Sequence, residues 1–187
     1  MSSTARRVLL VLGLLAVVVV AAVVVAAIRV GSAIESAGPV ELPDLCGALD
    51  DTTLSLVAPS AGPPQSQVAP DLSSCEANTD EPGPGVDMAV GATAYRTPAA
   101  VEDACTRIEA EPEVVDGTTR CRSERLDDLQ SRVDAVVVVP VDDARVVLVT
   151  LGYQSVPARA LSPRVTDALD ELLDRAVDDV REQVGSG

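Results

Sequence analysis

Four residue types are missing from this 187-residue chain: it has no lysine, histidine, phenylalanine or tryptophan. Without histidine, neither a Ser-His-Asp triad nor a Cys-His pair can be assembled from its own residues, and without lysine Schiff-base and Ser-Lys chemistry are excluded as well. Phosphate-cradling loops are absent: Gly83-Pro84-Gly85 reads as a turn, and neither the G-x-G-x-x-G nor the Walker pattern occurs. Tyr95 and Tyr153 are the only aromatic rings, too few to stack sugars or single-stranded nucleic acid. Positive charge is scarce and is carried entirely by 14 arginines against 29 acids, for a net charge of −15. Such a field repels nucleic acid and anionic headgroups, so nucleic acid is excluded as a partner. No catalytic, cofactor-binding or metal-binding residue is expected, and the chain reads as a binding module rather than an enzyme.

What the chain has in abundance is valine, leucine and alanine, concentrated first in an uncharged run over 8–28. These 21 residues span roughly 31 Å as a helix, enough for the hydrocarbon core of a bilayer. Arg6 and Arg7 precede the run and a single Arg29 follows it, which places residues 1–7 in the cytoplasm and the remainder outside. The competing reading is a cleaved signal peptide, since Gly31-Ser32-Ala33 offers small residues and would release a secreted ligand-binding protein. A signal h-region spans about 7–15 residues, and the greater length here favours an uncleaved transmembrane anchor. With Gly31, Gly38, Pro39 and Pro43, segment 29–43 reads as a juxtamembrane stalk leading to an external domain over 44–185. From Arg29 onward, 12 arginines face 29 acids, a net of −17 on the external part.

The cysteine count is even. Cys46, Cys75, Cys105 and Cys121 all lie beyond the apolar run, in a domain short of large apolar side chains, which in an oxidising compartment implies two disulfides. Of the three connectivities, Cys46–Cys75 with Cys105–Cys121 closes the two shortest non-overlapping loops. Each such bridge contributes roughly 3 kcal/mol through loop closure. Zinc is disfavoured because no C-x-x-C pair and no histidine is available.

The predicted elements form an α+β domain: an antiparallel sheet with a long C-terminal amphipathic helix and one shorter helix packed on it, preceded by the transmembrane helix. A helical turn is expected over 44–49, and strands over 72–77 and 86–95, the latter from alternation of Val86, Met88 and Val90 with Asp87 and Ala89. Thr97-Pro98 starts a helix whose apolar face carries Val101, Ala104, Cys105 and Ile108. Two valine-rich runs, 135–139 and 145–151, flank Asp142-Asp143 and predict a hairpin at the centre of the sheet. Ser162 and Pro163 open the final helix, with a stripe from Val165 to Val184 and Gly185 at its end. Segment 58–70 (APSAGPPQSQVAP) reads as a mobile loop beside the first disulfide and as a candidate recognition surface.

Acids are the one plentiful reactive type. Adjacent pairs at Asp50-Asp51, Asp127-Asp128, Asp142-Asp143 and Asp178-Asp179 invite a calcium reading, yet no EF-hand pattern is present, and turn formation or solvated helix faces explain them better. A carboxylate-pair hydrolase is the remaining enzymatic alternative, with no pair singled out.

Asp44-Leu45-Cys46-Gly47-Ala48-Leu49, followed by Ser73-Ser74-Cys75, resembles a pattern in small actinobacterial cell-envelope proteins, an origin that the arginine-rich, lysine-free composition also resembles. Many of these are lipoproteins with a helix-plus-sheet domain, and related domains serve as extracellular sensor modules of receptor kinases. The resemblance spans residues 44–151 and transfers no catalytic residue. It implies an envelope domain of unknown ligand; the N-terminal helix makes the membrane one partner, and another envelope protein is the candidate second. This chain departs from the pattern in lacking a lipidated cysteine and in having Glu76-Ala77 where an aromatic often follows the second cysteine.

Overall fold

Valine runs too short to be helices and too apolar to face water form the centre of a seven-stranded antiparallel sheet. A computed structural model describes residues 38–79, 85–95, 99–115, 117–158 and 160–185. The expected cytoplasmic segment, the transmembrane helix at 8–28 and the stalk up to residue 37 lie outside the described residues, as does the Thr97-Pro98 helix start. No helix among the described residues is long and apolar enough to cross a membrane.

The strands are β1 (Gln65–Ala69), β2 (Leu72–Asn78), β3 (Gly85–Tyr95), β4 (Glu113–Val115), β5 (Thr118–Leu126), β6 (Ser131–Pro140) and β7 (Val146–Val156). They pair in the order β1-β2-β3-β7-β6-β5-β4, so the predicted valine hairpin, β6 with β7, does occupy the middle. The helices are α1 (Asp51–Val57), α2 (Ala99–Arg107) and α3 (Pro163–Gly185), with a 3₁₀ turn at Leu45–Ala48. The fold is thus α+β, with two short helices where one was expected.

Period-two alternation gives the sheet two chemically different faces. On the inner face, Val90, Val133, Val137, Val147, Val149 and Leu151 are buried against the α3 stripe of Leu169, Leu172, Ala176, Val177 and Val180. The N-terminus of α3 is capped as expected, the Ser162 hydroxyl accepting from the Val165 amide at 3.3 Å. Val40 and Leu42, at the end of the segment read as a stalk, are buried in the same core, so the packed unit begins at Pro39. Arginine supplies every charged tether of α3: Arg120 to Asp174 at 2.7 Å, Arg122 to Asp170, Arg175 to Asp50 and to the Thr53 hydroxyl, and Arg181 to the Thr118 hydroxyl. On the outer face, α2 covers one end of the sheet only, packing Ala104 and Cys105 over Cys121, Val136, Val138, Val146 and Leu148.

Both disulfides join as loop economy expects, Cys46–Cys75 across 29 residues and Cys105–Cys121 across 16, with Cα separations of 5.0 and 5.6 Å. The first ties the 3₁₀ turn to β2 and the second ties α2 to β5.

The expectation of a mobile loop over 58–70 is corrected. Its second half is strand β1, paired with β2 from Gln65↔Glu76 to Ala69↔Leu72. The hairpin turns through Pro70-Asp71, with proline presetting one φ and Asp71 taking φ 62°, a left-handed value that a short polar side chain tolerates. The Asp71 carboxylate accepts from the Val40 amide at 2.7 Å, and Ser66 donates to Asp44 at 2.7 Å. The first half is pinned by the Gly62 amide, which donates to the Asn78 carbonyl at 3.0 Å.

Candidate ligand-binding face

Because α2 is only nine residues long, no described helix covers the outer face across β2, β3, β7 and β6. The pairing register arranges that area in rows. Glu76 stands opposite Ala89, Ala89 opposite Gly152, and Gly152 opposite Asp134. The neighbouring row runs Asn78, Asp87, Gln154, Arg132. The small middle of the first row and the polar residues around it make an open trough of about 300 Å³, floored by Ala89 and Gly152 and lined along the second row by Asp87 and Gln154.

Gly152 is the informative residue. It lies inside β7, a central strand, where a glycine weakens the strand by roughly 0.5–1 kcal/mol relative to alanine. Its φ is not positive, and a Cβ built on it would meet nothing within 4 Å. Neither backbone geometry nor internal packing therefore requires glycine there. Gly91, two residues along β3 from Ala89, differs: a Cβ would come within 3.1 Å of the Thr150 hydroxyl oxygen. Glycines inside strands recur at bulges, at tight bends and where a ligand or another backbone comes close, and β7 pairs without a bulge on both sides of Gly152.

The walls are unequal in charge. On the β6 side, Arg132 grips Asp134 through two bonds, Nε to Oδ2 at 2.6 Å and an Nη to Oδ1 at 3.0 Å. Asp134 is buried, with its side chain 12% exposed, while Arg132 is 49% exposed. The hydrogen bonds that Arg132 donates to Asp134, followed by the charge of Asp134, hold the guanidinium pKa above its ordinary range, so this wall stays charged yet net neutral. Gln154 reinforces it, its amide nitrogen donating to the Gln130 side-chain oxygen at 2.9 Å. On the β2–β3 side, Glu76 and Asp87 are exposed and diagonal to one another, without an ion-pair partner among the described residues.

The residues singled out from sequence lie elsewhere. Cys75 immediately precedes Glu76 but faces the inner core, and Cys105–Cys121 sits beneath α2. The first acid of each adjacent pair serves a cap, a turn or, at Asp178, an ion pair along a helix. Asp50 caps α1 through the Thr53 amide at 2.7 Å, Asp127 accepts from the Leu129 and Gln130 amides, Asp142 from those of Ala144 and Arg145, and Asp178 pairs with Arg181 at 3.6 Å. Gly152, Arg132 and Asp134 were not singled out. Their signal was a glycine inside an otherwise apolar, valine- and leucine-rich strand and the polar alternation Arg132-Val133-Asp134 at the start of the valine run.

No protein-family model matches this chain, and no curated protein matches it. Solved structures with partial likeness include the human StarD13 (DLC2) lipid transfer and protein localization domain, at 11% identity over 78% of this chain and 73% of that one, with a TM-score of 0.23. A hypothetical protein from Helicobacter pylori is similar at 17% identity over 73% of this chain and 79% of that one, also with a TM-score of 0.23. The di-domain ARO/CYC StfQ of the steffimycin biosynthetic pathway is similar at 10% identity over 80% of this chain and 50% of that one, again at 0.23. Likeness at this level assigns no function.

Proposed function

We propose that the protein is a single-pass, membrane-anchored binding module of a bacterial cell envelope, with its α+β domain outside the cytoplasm and its ligand seated on the outer sheet face over Gly152. The observation that carries the binding reading is the bare trough with a central-strand glycine that the fold itself does not need. The apolar run at 8–28, the two arginines before it and the two disulfides support the placement. The module works without covalent chemistry. Its hydroxyls have no histidine or lysine beside them to act as base, and its four cysteines are all tied in disulfides.

A ligand-observed NMR screen tests this directly, using neutral, anionic and cationic fragments against the full-length chain in a non-ionic detergent. Fragments should bind the wild type and lose binding in Gly152→Val, whose side chain stands up from the trough floor. If Gly152→Val retains every bound fragment, the trough is not the site.

A further inference from the structure

The geometry points to the class of ligand: the outer face receives an extended peptide segment of a partner protein that presents cationic side chains, with a guanidinium or ammonium group held between Glu76 and Asp87. The inference rests on the binding face proposed above and names its occupant.

Charge selects the cation. Among the described residues the Arg132–Asp134 pair is internally neutralised, which leaves Glu76 and Asp87 as the uncompensated charges lining the trough, a net of −2. They lie on adjacent strands at a diagonal of about 7–8 Å, close enough to repel and close enough to share one cation. The surrounding external part carries −17, so the long-range field steers the same sign of partner toward the face. An anionic ligand reaching Arg132 would meet a guanidinium already paired with Asp134 and, across the trough, the two further carboxylates of Glu76 and Asp87.

Shape selects a peptide over a free small molecule. From Glu76 to Asp134 the row crosses three strand spacings, about 14 Å. Small-molecule sites enclose 70–90% of their ligand. This trough instead lies open across four strands, and its floor of Ala89 and Gly152 admits close approach of another backbone.

The test is fluorescence anisotropy on the full-length chain in non-ionic detergent with labelled acetyl-Gly-Arg-Gly-Arg-Gly-amide, its glutamate counterpart, and cadaverine as competitor. The arginine peptide should bind, weaken as salt is raised, and lose roughly tenfold in affinity in the isosteric double variant Glu76→Gln/Asp87→Asn. Both positions are exposed, so that variant should keep the wild-type thermal midpoint. Equal binding of the glutamate peptide, or an unchanged affinity in the double variant, overturns the cationic assignment. Cadaverine displacing the peptide at equal concentration overturns the peptide in favour of a free diamine. Neutral or anionic fragments that bind in a Gly152-dependent way while the arginine peptide does not would sink this inference and leave the binding face standing. Loss of all binding would sink both.

Discussion

At the scale of single residues, the acids that look alike in the sequence have separate tasks. Asp50, held first by the Thr53 amide and then by Arg175, has its carboxyl lowered from an ordinary 3.8 to about 2. Asp44 is lowered by the Ser66 hydroxyl and the Cys46 amide, Asp127 by the Leu129 and Gln130 amides, and Asp142 by the Ala144 amide and then Arg145. A carboxyl depressed in the folded state stabilises above its unfolded value, and that stabilisation is lost as pH falls through the folded value. The contribution of these four should therefore be flat above about pH 5 and decline between about pH 4 and pH 2. Thermal melts across pH 2–7 check this, and Asp50→Asn should flatten part of the acid limb. Gly152 makes the opposite prediction. Because its Cβ position is empty and its φ is ordinary, Gly152→Val should leave the thermal midpoint unchanged or raise it, by up to about 1 kcal/mol of strand propensity, as differential scanning fluorimetry would read.

At the scale of elements, α3 is the main source of inner-face burial. Leu172 is fully buried within it, so Leu172→Ala should destabilise by roughly 2–5 kcal/mol, measurable as a lowered urea midpoint. Such a helix is legible in sequence because an unbroken apolar stripe and a Ser-Pro start leave little choice. The β6–β7 hairpin is legible for the same reason: its valines have β-branched side chains and span too few residues for a helix. Four elements were not: β5, whose TTRCRSERL is almost wholly polar, and the three that follow. Strand β1 (QSQVA) lies at a sheet edge with its residues exposed, so no burial pattern marks it, and its pairing is dictated by β2 and the Pro70-Asp71 turn. Helix α1 is seven residues long, too short to show a period, and is held by its Asp50 cap and Arg175. Strand β4 is three exposed residues. The trough was hidden for a related reason: it is made by the pairing of four strands, and no sequence window contains both Glu76 and Asp134.

At the scale of the whole molecule, the placement outside the cytoplasm and the binding face are separable propositions. Mass spectrometry of the membrane-extracted protein should find residues 1–33 attached; a mature start at Ile34 would replace the anchored form with a secreted one. Breaking the second bridge by Cys105→Ser/Cys121→Ser should lower stability by roughly 3 kcal/mol for its 16-residue separation, loosening α2 while leaving the bare half of the outer face in place. The binding face itself is tested most directly by mapping amide shifts over the entire chain as a bound fragment or peptide is titrated in. The expected result is a set of shifts on Glu76, Asp87, Ala89, Arg132, Gly152 and Gln154, spanning four strands that only the folded sheet brings together. Shifts confined to edge strand β1 and segment 58–64, or to the exposed side of α3, with Gly152 unmoved, would contradict it.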